Sequence, residues 1–509
     1  MIQKSIFYLF GTTILIAVGD AQPPAGSLVP PDSEIRGILV QRVNEFHQSV
    51  GMVVGMIGPD GRKVVSYGAL EKGDPRALNG DTVFEIGSVT KVFTSLLLSD
   101  MVRRGQVALT DPVSKYLPAS VRIPQRNGKQ ITLQNLATHT SGLPRLPGNL
   151  KPKDPANPYA DYSVAQLYEF LSSYELPRDI GSQYEYSNLG GGLLGHLLTL
   201  RAGMDYEALV RARITAPLNM KSTSITLSPE MKARMAVGHD DKLKPVANWD
   251  LPTLAGAGAL RSTANDMLTF LSANLGYNGT PLAPAMAAML DVRRSSGTPG
   301  LDVALAWHIY STPLGGGVVW HNGGTGGYRS FIGYEPKTRI GVVVLANAET
   351  AAGVDDIGLH LLNRKAPLLT GSAFLPAKER KEVAVDPKHR APQCLRSAAV
   401  LRSRSRSIAK KASAGACAYN CLRRRMRPHN KVRVSYCHGH RKGDLRDPSK
   451  WGTVRTEVWN SRRGPSATFT GPATPTSAGS GPRSIPALHW PPTQPSTSEP
   501  APQPASQRP

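Results

Sequence analysis

The chain has 509 residues, of which 40% are hydrophobic and 19% are charged, and its formal net charge is +23. Residues 391–509 hold 21 Lys and Arg against 4 Asp and Glu, so this stretch carries +17 and the first 390 residues carry only +6. Only 6% of the residues are aromatic and could stack on bases, and no nucleic-acid fold is recognised. The composition therefore argues against a nucleic-acid partner, and none is expected.

The N-terminus has the features of a secretory signal peptide, residues 1–21. Lys4 is followed by an apolar run over residues 6–18, and small residues lead up to Ala21. The run is shorter than the about 20 residues that span a bilayer. We expect cleavage after Ala21, no membrane span after processing, and a periplasmic or secreted protein. Residues 22–34 are expected to be a proline-rich linker.

A helix and a hairpin are predicted next. Residues 35–48 have helical apolar spacing, and two strand-like runs, 51–58 and 63–68, flank a turn at 59–61. This predicts an antiparallel pair of strands at the N-terminal end of a domain.

Ser88 stands at the start of a predicted helix. Apolar residues recur at steps of three and four over 89–102, which predicts an amphipathic helix that ends near Gly105. Free amide groups and the positive dipole end of a first turn favour a developing anion. Lys91 follows on the same face, and burial would let it lose its charge and accept a proton. The alternative is a serine cap with a solvated lysine, and the same spacing recurs at Ser407 in a stretch without helical pattern.

A polar loop supplies the second candidate segment. Tyr186 and Asn188 follow Pro177 and Gly181 and precede a glycine-rich helix start. A tyrosine in such a loop can point its hydroxyl at a pocket, and an asparagine offers both a donor and an acceptor. The alternative is an ordinary loop tyrosine beside a capping asparagine.

Two strands enclose the third candidate segment. Residues 318–320 and 330–334 have strand patterns, and the sequence between them begins at His321 and includes Gly323 and Gly324. Glycines let a substrate backbone lie against a strand edge and let amide groups point inward. One such amide and that of the helix-start serine could form an oxyanion hole, in which each donor is worth about 3–4 kcal/mol of barrier. The alternative is a glycine-rich hairpin with a surface histidine.

The order of these elements indicates the fold class. Residues 341–346 have the pattern of a buried strand and 352–362 that of a last helix, whereas 90–300 is mostly helical. We therefore predict an α/β (α+β) domain with an antiparallel sheet, flanking N- and C-terminal helices and a large inserted helical lobe. Residues 35–365 can bury a large core. Disulfides are not essential to it, because all four cysteines lie in the C-terminal part.

Residues 391–509 have a different composition. Apolar periodicity stops, and Arg, Pro, Ser and Thr dominate, so a disordered tail is expected after a linker at 366–390. The abrupt onset is typical of translation in a shifted reading frame, and a basic arm for anionic polymers is the alternative. Cys417 and Cys421, with the Cys-His-Gly-His run at 437–440, could be drawn as a zinc site, but the spacing is poor and no metal is expected.

Three segments, the first of which contains Ser88 and Lys91, carry the rest of a family pattern. Residues 84–94 read FEIGSVTKVFT, residues 136–144 read LATHTSGLP, and residues 257–267 read AGALRSTANDM. Together with the tyrosine and histidine segments, in this order, they resemble the serine β-lactamase and penicillin-binding family, specifically its class C β-lactamase and D-alanyl-D-alanine carboxypeptidase branch. The resemblance covers roughly residues 35–365 and implies a β-lactamase/transpeptidase-like fold.

The resemblance also implies catalytic roles. Ser88 would be the nucleophile and Lys91 its proton partner. Tyr186 would be the general base and then the acid to the leaving group. Which of Lys91 and Tyr186 holds the proton at each stage stays open. His139 is expected to be structural, since no partner for it is visible in the sequence.

The substrate-binding positions that the resemblance implies are Asn188, His321, Gly323 and Gly324. Asn188 would bind the substrate amide, and Gly324 would give the second oxyanion amide. His321 stands where many family members have lysine, and a histidine is mostly neutral near pH 7 unless a carboxylate holds its proton. β-Lactams and acyl-D-Ala-D-Ala peptides carry a carboxylate and simple esters do not, so this departure opens esterase and peptidase activities. Arg329, close in sequence, is one hypothesis for the missing charge.

These observations predict an exported serine hydrolase that acts through an acyl-enzyme on Ser88, with β-lactams as substrates. The alternatives are a D-alanyl-D-alanine carboxypeptidase or D-aminopeptidase, an esterase, a penicillin-binding sensor that does not turn over, and a catalytically idle scaffold. No cofactor and no metal are expected. The expected partner is a small β-lactam or peptidoglycan-type substrate, and the protein is expected to be a monomer.

Overall fold

The structure, a computed structural model, describes residues 28–311, 317–350, 352–369 and 371, and the backbone of three strands between residues 431 and 469. The predicted signal peptide and parts of both predicted linkers lie outside these residues. The chain divides into two units, Met1–Pro392 and Gln393–Pro509.

An eight-stranded antiparallel sheet is the centre of the first unit. The strands of this unit are β1 (Gly51–Gly58), β2 (Gly61–Gly68), β3 (Val83–Glu85), β4 (Gln125–Arg126), β5 (Lys129–Gln130), β6 (Gly238–His239), β7 (Pro245–Val246), β8 (Arg261–Thr263), β9 (Arg294–Ser295), β10 (Leu301–Val303), β11 (His308–Ser311), β12 (Gly317–Gly324), β13 (Arg329–Glu335) and β14 (Ile340–Ala346). The order in the large sheet is β2-β1-β14-β13-β12-β11-β10-β9, and β3–β8, β4–β5 and β6–β7 form small pairs. The predicted N-terminal hairpin therefore lies beside the last strand of the domain.

Helices cover both faces of this sheet. The α-helices are α1 (Asp32–Val40), α2 (Thr90–Arg103), α3 (Leu133–Ala137), α4 (Val164–Ser173), α5 (Asn188–Ala202), α6 (Tyr206–Val210), α7 (Pro229–Lys232), α8 (Ala255–Gly258), α9 (Ala264–Asn274), α10 (Ala283–Ala288) and α11 (Asp355–Leu362), with π-helical turns at Gln41–Glu45 and Arg211–Thr215 and 3₁₀ turns at Gly87–Val89 and Val113–Tyr116. Ile35 of α1 and Ile357 of α11 share a buried cluster with Met52 of β1, whereas Val53 belongs to the core on the other face with Leu268 of α9. The predicted fold class is confirmed. Within the described part of the chain, no helix combines the length and apolar character that crossing a membrane requires.

Helix α2 is buried on all sides, so the prediction that it is amphipathic is wrong. All residues over 90–101 are buried, because α2 packs against α5, α8 and α10 in the interior of the lobe. Its polar side chains find partners there: Thr94 Oγ1 donates to Gly256 O at 2.8 Å, and Ser99 Oγ donates to Ala285 O at 2.7 Å. Both acceptors lie on distant segments, so the hydroxyl groups need no water.

Asn347 joins the two ends of the domain. This buried residue follows β14, and its Oδ1 accepts hydrogen bonds from Gly51 N at 2.6 Å and Ser49 Oγ at 3.1 Å. Its Nδ2 donates to the carbonyl oxygens of Ala69 and Leu70 at 3.2 and 2.9 Å. One amide thereby satisfies backbone groups on both sides of the N-terminal hairpin.

The strand that was predicted to end at residue 320 continues into the glycine-rich stretch that follows it. β12 continues to Gly324 and β13 begins at Arg329, so the turn occupies only residues 325–328. Gly323 pairs with Ser330 and Gly324 with Arg329. Ladder hydrogen bonds use backbone groups alone, which is why glycines can extend the strand here.

Three strands lie in the second unit, where the sequence predicts a disordered tail. They are β15 (Lys431–Cys437), β16 (Val454–Asn460) and β17 (Pro465–Phe469), and they form an antiparallel sheet in that order. The structure differs from the expectation at these strands. Val432, Val434 and Tyr436 alternate with other residue types in β15, a pattern that favours strands. The zinc site drawn from the cysteines lies outside the described side chains.

Candidate active site

Ser88 lies at the start of α2, where the sheet meets the helical lobe. The 3₁₀ turn Gly87–Val89 leads into α2, and Ser88 is half-buried while its two chain neighbours are buried. Ser330 Oγ of β13 donates to Ile86 O at 2.8 Å, which holds the turn on the sheet. The helix start provides free N–H groups and a positive dipole end near Ser88.

Lys91 contacts Ser88 directly. Its Nζ lies 3.0 Å from Ser88 Oγ, 2.8 Å from Asn188 Oδ1 and 2.7 Å from Ala257 O. Burial lowers the pKa of Lys91 well below its usual value, and the nearby Arg145 cation lowers it further. Both effects favour the neutral amine. Lys91 Nζ donates to all three oxygens in the structure. Carbonyl oxygens only accept hydrogen bonds, so an amine that loses its third proton keeps two hydrogens for the two carbonyls and can offer its lone pair to the Ser88 hydroxyl.

Tyr186 lies next to this pair. Burial raises the pKa of Tyr186, and a hydrogen bond with Ser88 opposes the rise, so the phenol keeps its proton at neutral pH. Lys91 Nζ lies 4.9 Å from the centre of the tyrosine ring.

His139 supports the loop that presents Tyr186. The two rings are 4.6 Å apart between centroids, and His139 Nδ1 accepts a hydrogen bond from Ser187 N at 3.2 Å. His139 O accepts another from Glu185 N at 2.8 Å. His139 thus has the partners that the sequence did not reveal.

Asn188 begins α5 but does not cap it. The cap is Ser187, whose Oγ accepts from an N–H of the first turn at 2.8 Å and donates to Pro144 O at 2.6 Å. The side chain of Asn188 therefore contributes to the site instead, with Oδ1 on Lys91 and Nδ2 donating to Tyr159 Oη at 3.3 Å. The alternative prediction, that Asn188 caps the helix, is therefore wrong, because the cap is Ser187.

The end of β12 packs on the turn that carries Ser88. A Cβ atom at Gly323 would lie 2.1 Å from Ile86 O, so only glycine fits there. Gly87 has a φ of +47°, and a Cβ atom on it would lie 2.7 Å from Gly324 N. The Gly324 amide therefore lies against the residue that precedes Ser88.

His321 is completely buried. Its Nδ1 is 2.6 Å from Asn322 O, and its ring lies 5.2 Å from His308 and 6.3 Å from Tyr186 between centroids. Burial lowers the pKa of His321 well below its usual value, and any positive charge on the neighbouring His308 or Lys91 lowers it further. The imidazole is therefore neutral at pH 7 and does not supply the cation that a lysine would.

Arg329, the hypothetical replacement for that cation, is engaged elsewhere. It lies beside Gly324, but its Nη2 is 2.8 Å from Glu349 Oε1 and its Nε donates to Thr350 O at 3.1 Å. Much of its charge is thus neutralised within the protein.

Arg145 is a cation close to the site that no sequence pattern indicated. Its side chain is exposed, and its Cζ lies 5.3 Å from the centre of the Tyr186 ring. Its carbonyl oxygen accepts from the N–H groups of Asn188 at 3.0 Å and Leu189 at 3.2 Å. The available signal was its place directly after the LATHTSGLP segment.

The segment over 257–267 contributes through its backbone and an ion pair. Ala257 O receives the Lys91 amine, as described above. Arg261 forms a buried ion pair with Glu85 at 3.2 Å, which joins β8 to β3 just before the Ser88 turn. The ion pair thereby holds the 257–267 segment next to the turn that carries Ser88.

The seven predicted site residues meet in one place: Ser88, Lys91, Tyr186 and Asn188 through side chains, Gly323 and Gly324 through the backbone, and His321 behind Tyr186. An accessible hydroxyl, an amine whose neutral form is favoured by burial, and a protonated phenol can together move a proton from a serine to a leaving group. In the described ranges, no three His, Cys, Asp or Glu side chains are grouped as metal ligands.

Comparisons with known proteins agree with this geometry. A family model described as Beta-lactamase matches residues 39–364. The D-alanyl-D-alanine-carboxypeptidase/endopeptidase AmpH of Escherichia coli K12 is 32% identical over 347 residues, covering 64% of this chain and 88% of that protein. A beta-lactamase of Pseudomonas fluorescens is 27% identical over 62% of this chain and 94% of its own length. A crystal structure of a class C beta-lactamase from Rhodobacter sphaeroides, also 27% identical, matches 65% of this chain and 98% of that chain with a TM-score of 0.57.

Proposed function

The chain belongs to the beta-lactamase family, and from this premise we propose that it opens β-lactam amides through an acyl-enzyme on Ser88. The family and the hydrolase class predicted from the sequence are confirmed. The observation that carries the proposal is the contact of 3.0 Å between Lys91 Nζ and Ser88 Oγ, in a place where burial favours the neutral amine.

Lys91 is the base in the first step. Its lone pair takes the hydroxyl proton while Ser88 Oγ bonds to the carbonyl carbon, and the carbonyl electron pair moves onto the oxygen. The N–H groups of Ser88 and Gly324 bind this oxyanion. Asn188 Nδ2, which donates to Tyr159 Oη at 3.3 Å in the structure, is the group that would bind the substrate amide.

Tyr186 is the acid in the second step. Its phenol proton goes to the lactam nitrogen as the C–N bond breaks, and the proton held by Lys91 restores the phenol. Water then attacks the serine ester, and Ser88 regains a proton as the product acid leaves. The family resemblance assigned Tyr186 the base role first, but its raised pKa favours the acid role.

Intact mass of the protein after brief exposure to a penicillin tests this function. We expect a transient species heavier by the mass of the intact β-lactam, followed by release of hydrolysed product. Ser88→Ala should form no such species. An adduct that persists without turnover would instead indicate the penicillin-binding sensor, and a wild-type protein that never gains mass would refute the proposal.

A second function is favoured by the relative named D-alanyl-D-alanine-carboxypeptidase/endopeptidase. An acyl-D-Ala-D-Ala peptide presents the same amide carbonyl and carboxylate as a β-lactam, so the same site would act on both. A coloured cephalosporin, a D-Ala-D-Ala peptide and a short nitrophenyl ester, assayed side by side, rank the three activities.

Export is also part of the proposal, and it is supported by the N-terminal sequence. Processing after Ala21 would give a mature protein that begins at Gln22. Mass spectrometry of the N-terminal peptide from the native host tests this, and a retained Met1 would contradict it. The monomeric state stays a prediction that light scattering can check.

A further inference from the structure

One cation at the site has no ion-pair partner in the described part of the chain. Arg145 takes part in none of the ion pairs found there, although it is exposed and close to Tyr186. An exposed guanidinium beside a reactive serine is available to an anion from outside the protein.

The other basic groups of the site are engaged within the protein or have their charge disfavoured by burial. Burial favours the uncharged forms of Lys91 and His321, and Arg329 is paired with Glu349 at 2.8 Å. Arg145 is therefore the permanent charge that remains for a substrate.

We propose that Arg145 recognises the carboxylate of the substrate. The inference rests on the proposed function and names the group that selects its substrates. Lys91 Nζ, 3.0 Å from Ser88 Oγ, lies 4.9 Å from the centre of the Tyr186 ring, and the Arg145 guanidinium lies 5.3 Å from the same centre, so a substrate acylating Ser88 lies within its reach. The main chain at Arg145 is fixed by the N–H groups of Asn188 and Leu189. The planar guanidinium can then turn from the ring to present two parallel N–H groups to a carboxylate.

A matched pair of substrates tests this assignment: one cephalosporin with its carboxylate free and the same cephalosporin as its methyl ester. The measured quantity is the second-order rate constant for acylation of Ser88, followed by intact mass, so that turnover is not required. Arg145→Ala should lower the rate for the free acid by about 10- to 100-fold, as loss of a charge-assisted contact does. The rate for the ester should change less than about twofold, because the ester lacks the anion that the contact needs.

Two further variants sharpen the test. Arg201→Ala removes another exposed arginine at the far end of α5, about 20 Å from Asn188 along the helix, and should leave both rates unchanged. Arg145→Lys should recover part of the rate for the free acid, since charge remains without the bidentate geometry.

Three results would overturn the assignment. Equal losses for acid and ester would show that Arg145 acts through Tyr186, and unchanged rates would show that it does not act on the substrate. A selective loss in Arg329→Ala instead of Arg145→Ala would give the role to Arg329. Failure of the proposed function is distinguishable from all three, because wild-type Ser88 would then be acylated by neither compound.

Discussion

Gly191 of α5 lies against the side chain of Lys91: a Cβ atom on this glycine would be 2.9 Å from Lys91 Cε and 3.2 Å from its Cγ and Cδ. The glycines that follow Asn188 thus leave room for the buried lysine and for the neighbouring helix α8. Gly195 leaves room for α8 in the same way, since a Cβ atom on it would be 2.9 Å from the Cα atom of Gly256.

Gly191→Ala should reduce kcat by about tenfold or more while the protein stays folded. The added methyl group displaces Lys91 Nζ from Ser88, and a displacement of about 1 Å at a reacting group can cost about a hundredfold in rate. Steady-state kinetics and a thermal unfolding curve measure the two properties. Gly148→Ala is the control, since its Cβ would meet nothing closer than Phe170 Cε2 at 3.7 Å. Full activity in Gly191→Ala would contradict the close contact.

Lys91→Ala should lower kcat by about a hundredfold or more, which is the usual cost of losing a general base. Lys91→Arg should not restore it, because a guanidinium stays protonated and has no lone pair to offer. Single-turnover acylation with a penicillin measures the effect on the first step. Rapid acylation of the arginine variant would show that the base is another group.

Tyr186→Phe should also lower kcat by about a hundredfold or more, because the variant has no phenol proton to give to the leaving group. The ring remains, so the contacts with His139 and Arg145 persist and the fold is unaffected. A β-lactam depends on protonation of its nitrogen, whereas a nitrophenyl ester has a good leaving group. The loss should therefore be larger for the β-lactam, and equal losses would argue against the acid role.

Acid should destabilise the folded protein through its buried histidines. Burial lowers the pKa of His308 to about 4 and lowers those of His139 and His321 in the same direction. Below pH 6.5 the unfolded chain binds more protons than the folded one, so stability falls as the pH drops from 6.5 towards 4. Asp355 acts in the opposite sense below pH 6, because burial raises its pKa to about 6.

Urea unfolding at pH 7.5 and pH 5 measures this effect. His308→Gln should lose about 2 kcal/mol less stability than wild type between the two pH values. Each protein serves as its own control at pH 7.5, which removes any constant cost of the substitution. An identical loss in both proteins would show that His308 titrates normally in the folded state.

Deletion of residues 391–509 should leave kcat and KM unchanged. All predicted site residues lie between Ser88 and Gly324, within the stretch that the family model matches. A Ser88→Ala version of the truncated protein controls for contaminating hydrolases. If the truncated protein folds, as judged by circular dichroism, and does not turn over, the tail has a role in the site.

The contact of Ser88 with Lys91 could be predicted from local spacing, whereas the approach of Tyr186, Asn188 and the β12 residues was predicted only through the family resemblance. Ser88 and Lys91 are three residues apart at a helix start, and that spacing alone brings the hydroxyl and the amine together. The N-terminal hairpin and the last strand were predictable for the same reason, because alternation and turn residues determine them within a few positions.

The other features depend on residues far apart in the chain. Thr94 and Ser99 look like the solvent face of a helix until their acceptors, Gly256 O and Ala285 O, are known. The burial of His321, which makes it neutral, requires the rings of His308 and Tyr186 around it. Packing of this kind leaves no periodic signal, so sequence pattern could not reveal it.

The bond between Gly51 N and Asn347 Oδ1 spans 296 positions. The ribosome must therefore release almost the whole domain before the hairpin can find the strand next to it, and closing so long a loop is slow. Until then the turn at Ser88 lacks its support from Ser330, which comes from the same late segment. A nascent chain would hold its nucleophile and amine long before it could use them, so catalytic competence should appear at the end of folding.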